Sequence, residues 1–273
     1  DAGAGRVSLM LAQRIVTALV LAALVLAAIF WLPSRITAGV ITLVVLAGAW
    51  EWSAFPGLKH VLARLAYVAA IAACIAFVWS AGIDSPRADQ LLPAALIWWI
   101  VALVWVVSMP GYVNRASAAL AGVLVLVPAW LALVRLHQNA PYWLLFLLLL
   151  VVAADVGAYF VGRKFGRHKL APRVSPGKTW EGVCGGIVAA ALMAGLGTVL
   201  FSVPVLAFIG VCAVVVVASI VGDLTESLFK RHAGLKDSGT LLPGHGGVLD
   251  RVDSVSAAAP IFLFGMERLG LLS

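Results

Sequence analysis

The chain has 273 residues, 63% of them hydrophobic and 11% charged, with a formal net charge of +7. Soluble domains carry roughly 25% charged residues, and a core of this size cannot hide so much apolar surface. A soluble globular fold is therefore excluded. The basic excess reads as loops facing anionic lipid, not as a nucleic-acid surface, so no nucleic-acid partner is expected.

The expected fold class is all-α, a polytopic integral membrane helical bundle of about nine transmembrane helices. A span takes about 20 apolar residues. Such stretches run near 15–33, 36–55, 65–83, 91–109, 117–136, 141–161, 182–202, 204–222 and 254–272. Pro33, Pro56-Gly57, Pro110-Gly111, Pro141 and Pro204 punctuate them. The stretch before Met10 is expected to be foreign to the natural chain, with Met10 as the start. Residues 1–14 then form an N-terminal extension, 15–140 a first group of spans, and 141–273 a second group carrying the catalytic site. Cys74, Cys184 and Cys212 lie in apolar stretches and suggest neither disulfide nor zinc.

Lys and Arg set the orientation. With the N-terminus inside, all but Arg35, Arg87, Arg135 and Arg268 of the 19 basic residues fall inside. That topology puts the C-terminus outside. Glu51, flanked by Trp50 and Trp52, is the ionisable residue that stands out in the early spans, and both a structural and a site role are open to it. Gly182, Gly186, Ala190 and Ala194 recur every four residues, a ladder for close helix packing.

Seven of the 12 acids lie between Asp155 and Asp253, among most of the inside basic residues. Carboxylates hold Mg²⁺, and Lys or Arg neutralises phosphate, so the mixture suits an anionic substrate held with a divalent cation. Asp155 lies within an apolar span, where an unpaired carboxylate is costly, and Tyr159 shares its face one turn on. Ser175 and Pro176 read as N-cap and first residue of the seventh span, with Lys178 and Thr179 adding to an anion site at that helix start. Gly177-Lys178-Thr179 looks like the end of a Walker A loop, but Pro172 stands where an earlier Gly is required. If the eighth helix continues past Gly222, Asp223, Glu226, Ser227 and Lys230 share one face. His245, Gly246 and Gly247 follow in a glycine-rich loop whose amides can approach an anion. Asp250 and Asp253 share a face at the start of the last span.

At this segment a resemblance becomes specific. Ser227-Leu-Phe-Lys230-Arg231, then Lys236-Asp237, then Pro243-Gly-His245-Gly246-Gly247-Val-Leu-Asp250-Arg251-Val-Asp253 resembles the signature of the phosphatidate cytidylyltransferases, or CDP-diacylglycerol synthases. The Ser175–Gly182 segment, the Asp155 region and Trp50-Glu51-Trp52 resemble that family too. The resemblance implies the reaction of CTP with phosphatidate to give CDP-diacylglycerol and pyrophosphate. It also implies Mg²⁺ held at Asp223 and Asp250, K⁺ as a second cation, and membrane-embedded homodimers. The sidedness of Lys and Arg puts the site on the cytoplasmic face, and the expected membrane is the bacterial inner one. Phosphatidate brings its own nucleophile, so positioning and charge neutralisation are the expected work of the protein. Lys230, Arg231, Lys236 and Arg251 are expected on phosphates. Ser175, Lys178, Thr179, Gly246 and Gly247 would complete the anion site, with Asp237, Asp253, Glu226 and His245 behind or on the nucleotide. The competing readings are an ion-coupled transporter and another lipid phosphotransferase, polyprenol kinase-like or an archaeal-type lipid cytidylyltransferase.

Overall fold

The computed structural model describes residues 16, 17, 19–241 and 246–272. The extension 1–14 and His245 lie outside the described residues. The described chain forms α1 (Leu19–Phe30), α2 (Ser34–Trp52), α3 (Val61–Ala81), α4 (Pro86–Asp89), α5 (Leu91–Ser108), α6 (Arg115–Asn139) and α7 (Pro141–Phe165). A small hairpin follows, β1 (Lys169–Ala171) with β2 (Ser175–Thr179), then α8 (Trp180–Phe201), α9 (Val205–His232) and α10 (Leu249–Arg268). The expected all-α membrane bundle is what forms: among the described residues, 7 segments are long and apolar enough to cross a bilayer. Every expected span contains a helix.

Two expected spans do not reach that standard. The described part of α1 is a shorter apolar helix. α10 begins with Asp250, Arg251 and Asp253 and ends with Glu267 and Arg268, yet its middle, Ser254 to Leu263, is buried. A helix wrapped by protein does not need an apolar surface all round.

The prolines act as read. Pro33 and Pro204 precede the first turns of α2 and α9, and Pro141 opens α7. The long apolar run 182–222 breaks at Ser202, whose φ of 52° ends α8 in the left-handed region. One expectation fails. Ser175 and Pro176 are not a helix start but the beginning of β2, and Thr179 caps α8, its Oγ1 accepting from Gly182 N at 3.1 Å. Pairing of Ser175 with Ala171 and of Thr179 with Lys169 holds the segment extended, and a two-stranded ribbon tolerates proline.

α7 and α8 meet through small residues. Gly186 lies against the Ala154 carbonyl and Gly182 against that of Ala158, as the four-residue ladder implied. A second contact, Gly157 on Gly185, was not anticipated. A Cβ on Gly185 would lie 2.5 Å from Val161 and 2.7 Å from the Gly157 carbonyl oxygen. Gly185→Leu is expected to destabilise the detergent-solubilised protein by about 1–3 kcal/mol or more, because backbone cannot yield as a side chain does. Gly195→Ala, with open space around it, should leave the thermal unfolding curve in place.

The two ends of the bundle differ in chemistry. At one end Arg135, 3% exposed, pairs with Asp89 at 2.6 Å and Glu267 at 3.1 Å, lies 3.6 Å from Asp84, and donates to the Ile83 carbonyl. The residues from 155 to 253 that the sequence singled out gather at the opposite end, where α2, α7 and α9 finish and α8 and α10 begin.

Candidate active site

α9 continues unbroken to His232, so Asp223, Glu226, Ser227 and Lys230 do share a face, as the spacing required. Lys230 is the hub. It is buried, and its Nζ lies 2.7 Å from Asp250 Oδ1 and 3.1 Å from Glu226 Oε1. Both Glu226 oxygens are buried and, among the described residues, accept no hydrogen bond of good geometry, so the nearby Lys230 ammonium is what offsets their desolvation. Asp253 lies within electrostatic reach of Asp223, Lys178 and Lys230 and adds to the negative surroundings of Glu226.

Asp250 ties the signature loop to this hub. Its Oδ2 accepts from Gly247 N at 2.9 Å and Ser238 N at 3.0 Å. Burial opposes ionisation of Asp250, but the hydrogen bonds from Lys230, Gly247 and Ser238 outweigh it and hold the carboxyl below its ordinary range. Gly246, at φ 80°, turns the chain beside this carboxylate.

A second carboxylate makes the same kind of tie, and the sequence left its role open. Glu51, 2% exposed at the end of α2, accepts from Val248 N at 3.0 Å, Leu249 N at 2.8 Å and Ser238 Oγ at 3.1 Å. It thus satisfies amides at the start of α10, which helix geometry leaves without partners. Gly239 and Gly247 lie so close to Glu51 that neither has room for a Cβ. Beneath the knot Trp52, Phe55, Trp105 and Phe229 pack ring on ring.

The hairpin closes the other flank. Lys178 of β2 pairs with Asp223 Oδ2 at 2.5 Å, and Ser227 Oγ donates to Asp223 Oδ1 at 3.3 Å. Arg231 donates to the Val174 carbonyl at 3.4 Å and the Leu235 carbonyl at 3.3 Å, fastening hairpin and loop to the end of α9. Glu181 accepts from the backbone and ring of His168, the ring contact at 2.7 Å, a clasp on β1 that sequence reasoning missed.

A cavity of about 390 Å³ opens between α7, the hairpin, α8 and α9, with Asp155, Lys178, Thr179 and Asp223 in its wall. Asp155 is within electrostatic reach of Lys178 and Asp223. Tyr159, expected to partner Asp155, instead accepts a hydrogen bond from Arg163 at 3.0 Å.

Most of the residues singled out from sequence therefore converge. Lys178, Thr179, Asp155 and Asp223 line the cavity, with Ser227 bonded to Asp223, and Glu226, Lys230, Gly246, Gly247, Asp250 and Asp253 gather on the loop side. Asp223 and Asp250, expected to share one cation, each hold a lysine here. Ser175 sits at the start of β2 paired with Ala171, away from the cavity wall. Lys236, Asp237 and Arg251 are exposed around the loop. Among the described residues no cluster of three or more His, Cys, Asp and Glu side chains is arranged to hold a metal alone.

Residues 12–268 match the model of the cytidylyltransferase family. A protein of Pseudomonas aeruginosa named phosphatidate cytidylyltransferase is 47% identical over 264 residues, covering 93% of this chain and 96% of its own. One of Haemophilus influenzae with the same name is 41% identical, covering 93% and 98%. One of Brucella suis, also so named, is 48% identical over 147 residues, about half of each chain.

Proposed function

We propose, from the premise that this chain belongs to the cytidylyltransferase family, that it joins CTP to phosphatidate. An oxygen of the phosphatidate phosphate attacks the α-phosphorus of CTP and forms the new P–O bond. The bond from that phosphorus to the β-phosphate oxygen breaks, and pyrophosphate leaves. The products are CDP-diacylglycerol and pyrophosphate, with no nucleophile drawn from the protein. Neither a transporter nor a polyprenol kinase is among the relatives named above.

The observation that supports this reading is the pairing of Lys178 with Asp223 and of Lys230 with Asp250 at one end of the bundle, beside an open cavity. Lys178 and Lys230 are cations preplaced for a triphosphate, with Arg231 at the end of α9, Lys236 in the loop and Arg251 at the start of α10 adding exposed positive charge at this end. Preorganised donors cost no reorganisation when charge develops on the leaving group. Ser175, at the edge of the hairpin, plays at most an indirect part.

The donor set fits Mg²⁺. Asp223 and Asp250 offer hard oxygens, the Glu226 oxygens accept no hydrogen bond among the described residues, and Mg²⁺ commonly takes one or two carboxylates plus substrate phosphates. Asp223 and Asp250 are its proposed ligands, with K⁺ as a second cation in the same acidic cluster. When bound, Mg²⁺ neutralises phosphate charge on the attacked and departing groups. We also propose a homodimer in a bacterial inner membrane, its site facing the cytoplasm. The concentration of Lys and Arg at that end favours this orientation.

A panel of nucleotides and lipids tests the assignment. Purified protein in neutral micelles should consume CTP with phosphatidate, and chelation with EDTA should reduce turnover to background. Consumption of ATP with a polyprenol would overturn the activity. Turnover persisting in EDTA would overturn the metal assignment.

A further inference from the structure

The cavity between α7, α8, α9 and the hairpin has two kinds of wall. Ala154, Val183, Val216 and Ile220 give it an apolar part, while Asp155, Tyr159, Arg163, Lys178 and Asp223 line its polar part. The same helices carry exposed apolar side chains such as Phe160, Val188 and Val217, the surface a bilayer covers. A ligand with acyl chains and one anionic head matches such a space.

The two cations of the wall are not equivalent. Lys178 is already neutralised by Asp223. Arg163, among the described residues, has no carboxylate partner. Its Nη1 donates to the Tyr159 hydroxyl at 3.0 Å, and its guanidinium carbon lies 6.0 Å from that ring's centre. One contact leaves most of its five donors unused. A guanidinium steadied by a tyrosine and otherwise open is suited to the planar, paired hydrogen bonding of a phosphate monoester.

We propose that Arg163, steadied by Tyr159, anchors the phosphate of the lipid substrate in this cavity and sets affinity for phosphatidate rather than for CTP. The proposal rests on the activity given above and adds where the lipid lies. Its phosphate would enter from the bilayer side of this cavity, while the triphosphate is held by Lys178, Lys230 and the signature loop. The two substrates then meet across the Lys178–Asp223 pair.

Steady-state kinetics on the full chain in neutral micelles test it, varying the mole fraction of phosphatidate at saturating CTP and then the reverse. Arg163→Gln should raise the half-saturating phosphatidate fraction roughly tenfold or more, the cost of losing a charge-assisted contact, with KM for CTP unchanged to within about twofold. Arg163→Lys should recover part of the loss. Tyr159→Phe keeps the charge and should raise the phosphatidate value by a smaller factor at unchanged kcat. A rise in KM for CTP instead would assign Arg163 to the nucleotide and overturn the proposal, as would both constants unchanged in Arg163→Gln. A wild-type protein that consumes neither substrate would refute the activity itself, a separate result.

Discussion

Asp250→Asn is expected to lower CTP turnover by roughly 10²–10³-fold, the scale of losing a preorganised charged group in an active site. The two oxygens of Asp250 have separate duties. One accepts from the Lys230 ammonium, the other from the amides of Gly247 and Ser238. An asparagine amide must turn its NH₂ toward one of these, setting donor against donor in a half-buried place. The loop then loosens and Lys230 loses its fixed position. Asp223→Asn should cost comparable turnover with less damage to the fold, because Asp223 faces one ammonium and one rotatable hydroxyl, with its side chain 28% exposed. Radiolabelled CTP turnover alongside thermal unfolding separates the two effects. Rates near wild type in both variants would refute the assignment of these carboxylates to the chemistry.

Glu51→Ala should be the most damaging substitution outside the signature itself. Glu51 satisfies two backbone amides and the Ser238 hydroxyl. Removing it leaves those donors buried without acceptors, costing about 2–5 kcal/mol in sum. The start of α10, and with it Asp250 and Asp253, should fray. Glu51→Gln keeps the shape but presents an NH₂ to at least one amide, so it should fall between alanine and wild type. The expected readouts are a lowered unfolding temperature and faster proteolysis of the chain around 238–248. A Glu51→Ala protein as stable and active as wild type would show that the loop holds itself.

Much of this architecture could be read from residue order. The prolines marked helix ends because a missing amide and a fixed φ act locally. Asp223, Glu226, Ser227 and Lys230 could be placed on one face because helical spacing is also local. The sidedness of Lys and Arg separated the two ends of the bundle, and the structure keeps that division, with Arg135 at one end and Lys178, Lys230 and Arg231 at the other. What resisted was partnership across long separations. Glu51 and Leu249 are 198 positions apart, and nothing near either announces the other. Arg135 was counted by its side of the membrane, though it is a buried junction between α6, α10 and the Asp84–Asp89 turn. Ser175-Pro176 fits a helix cap by composition, but strand pairing with Ala171 decides the conformation there. The carboxylates were assigned to a cation because they are hard oxygen donors. Their lysine partners lay in a different segment for Asp223 and a different helix for Asp250, so the pairing was invisible until the chain was folded.

The proposed reaction is one exchange, in which a lipid phosphate replaces pyrophosphate on the α-phosphorus of CTP. Incubating the purified chain with phosphatidate, Mg²⁺ and CTP labelled at the α-phosphate, then identifying products by mass, tests it most directly. The expected result is all of the label in CDP-diacylglycerol, with unlabelled pyrophosphate released in equal amount. Label recovered in free CMP or CDP, with the lipid unchanged, would contradict it.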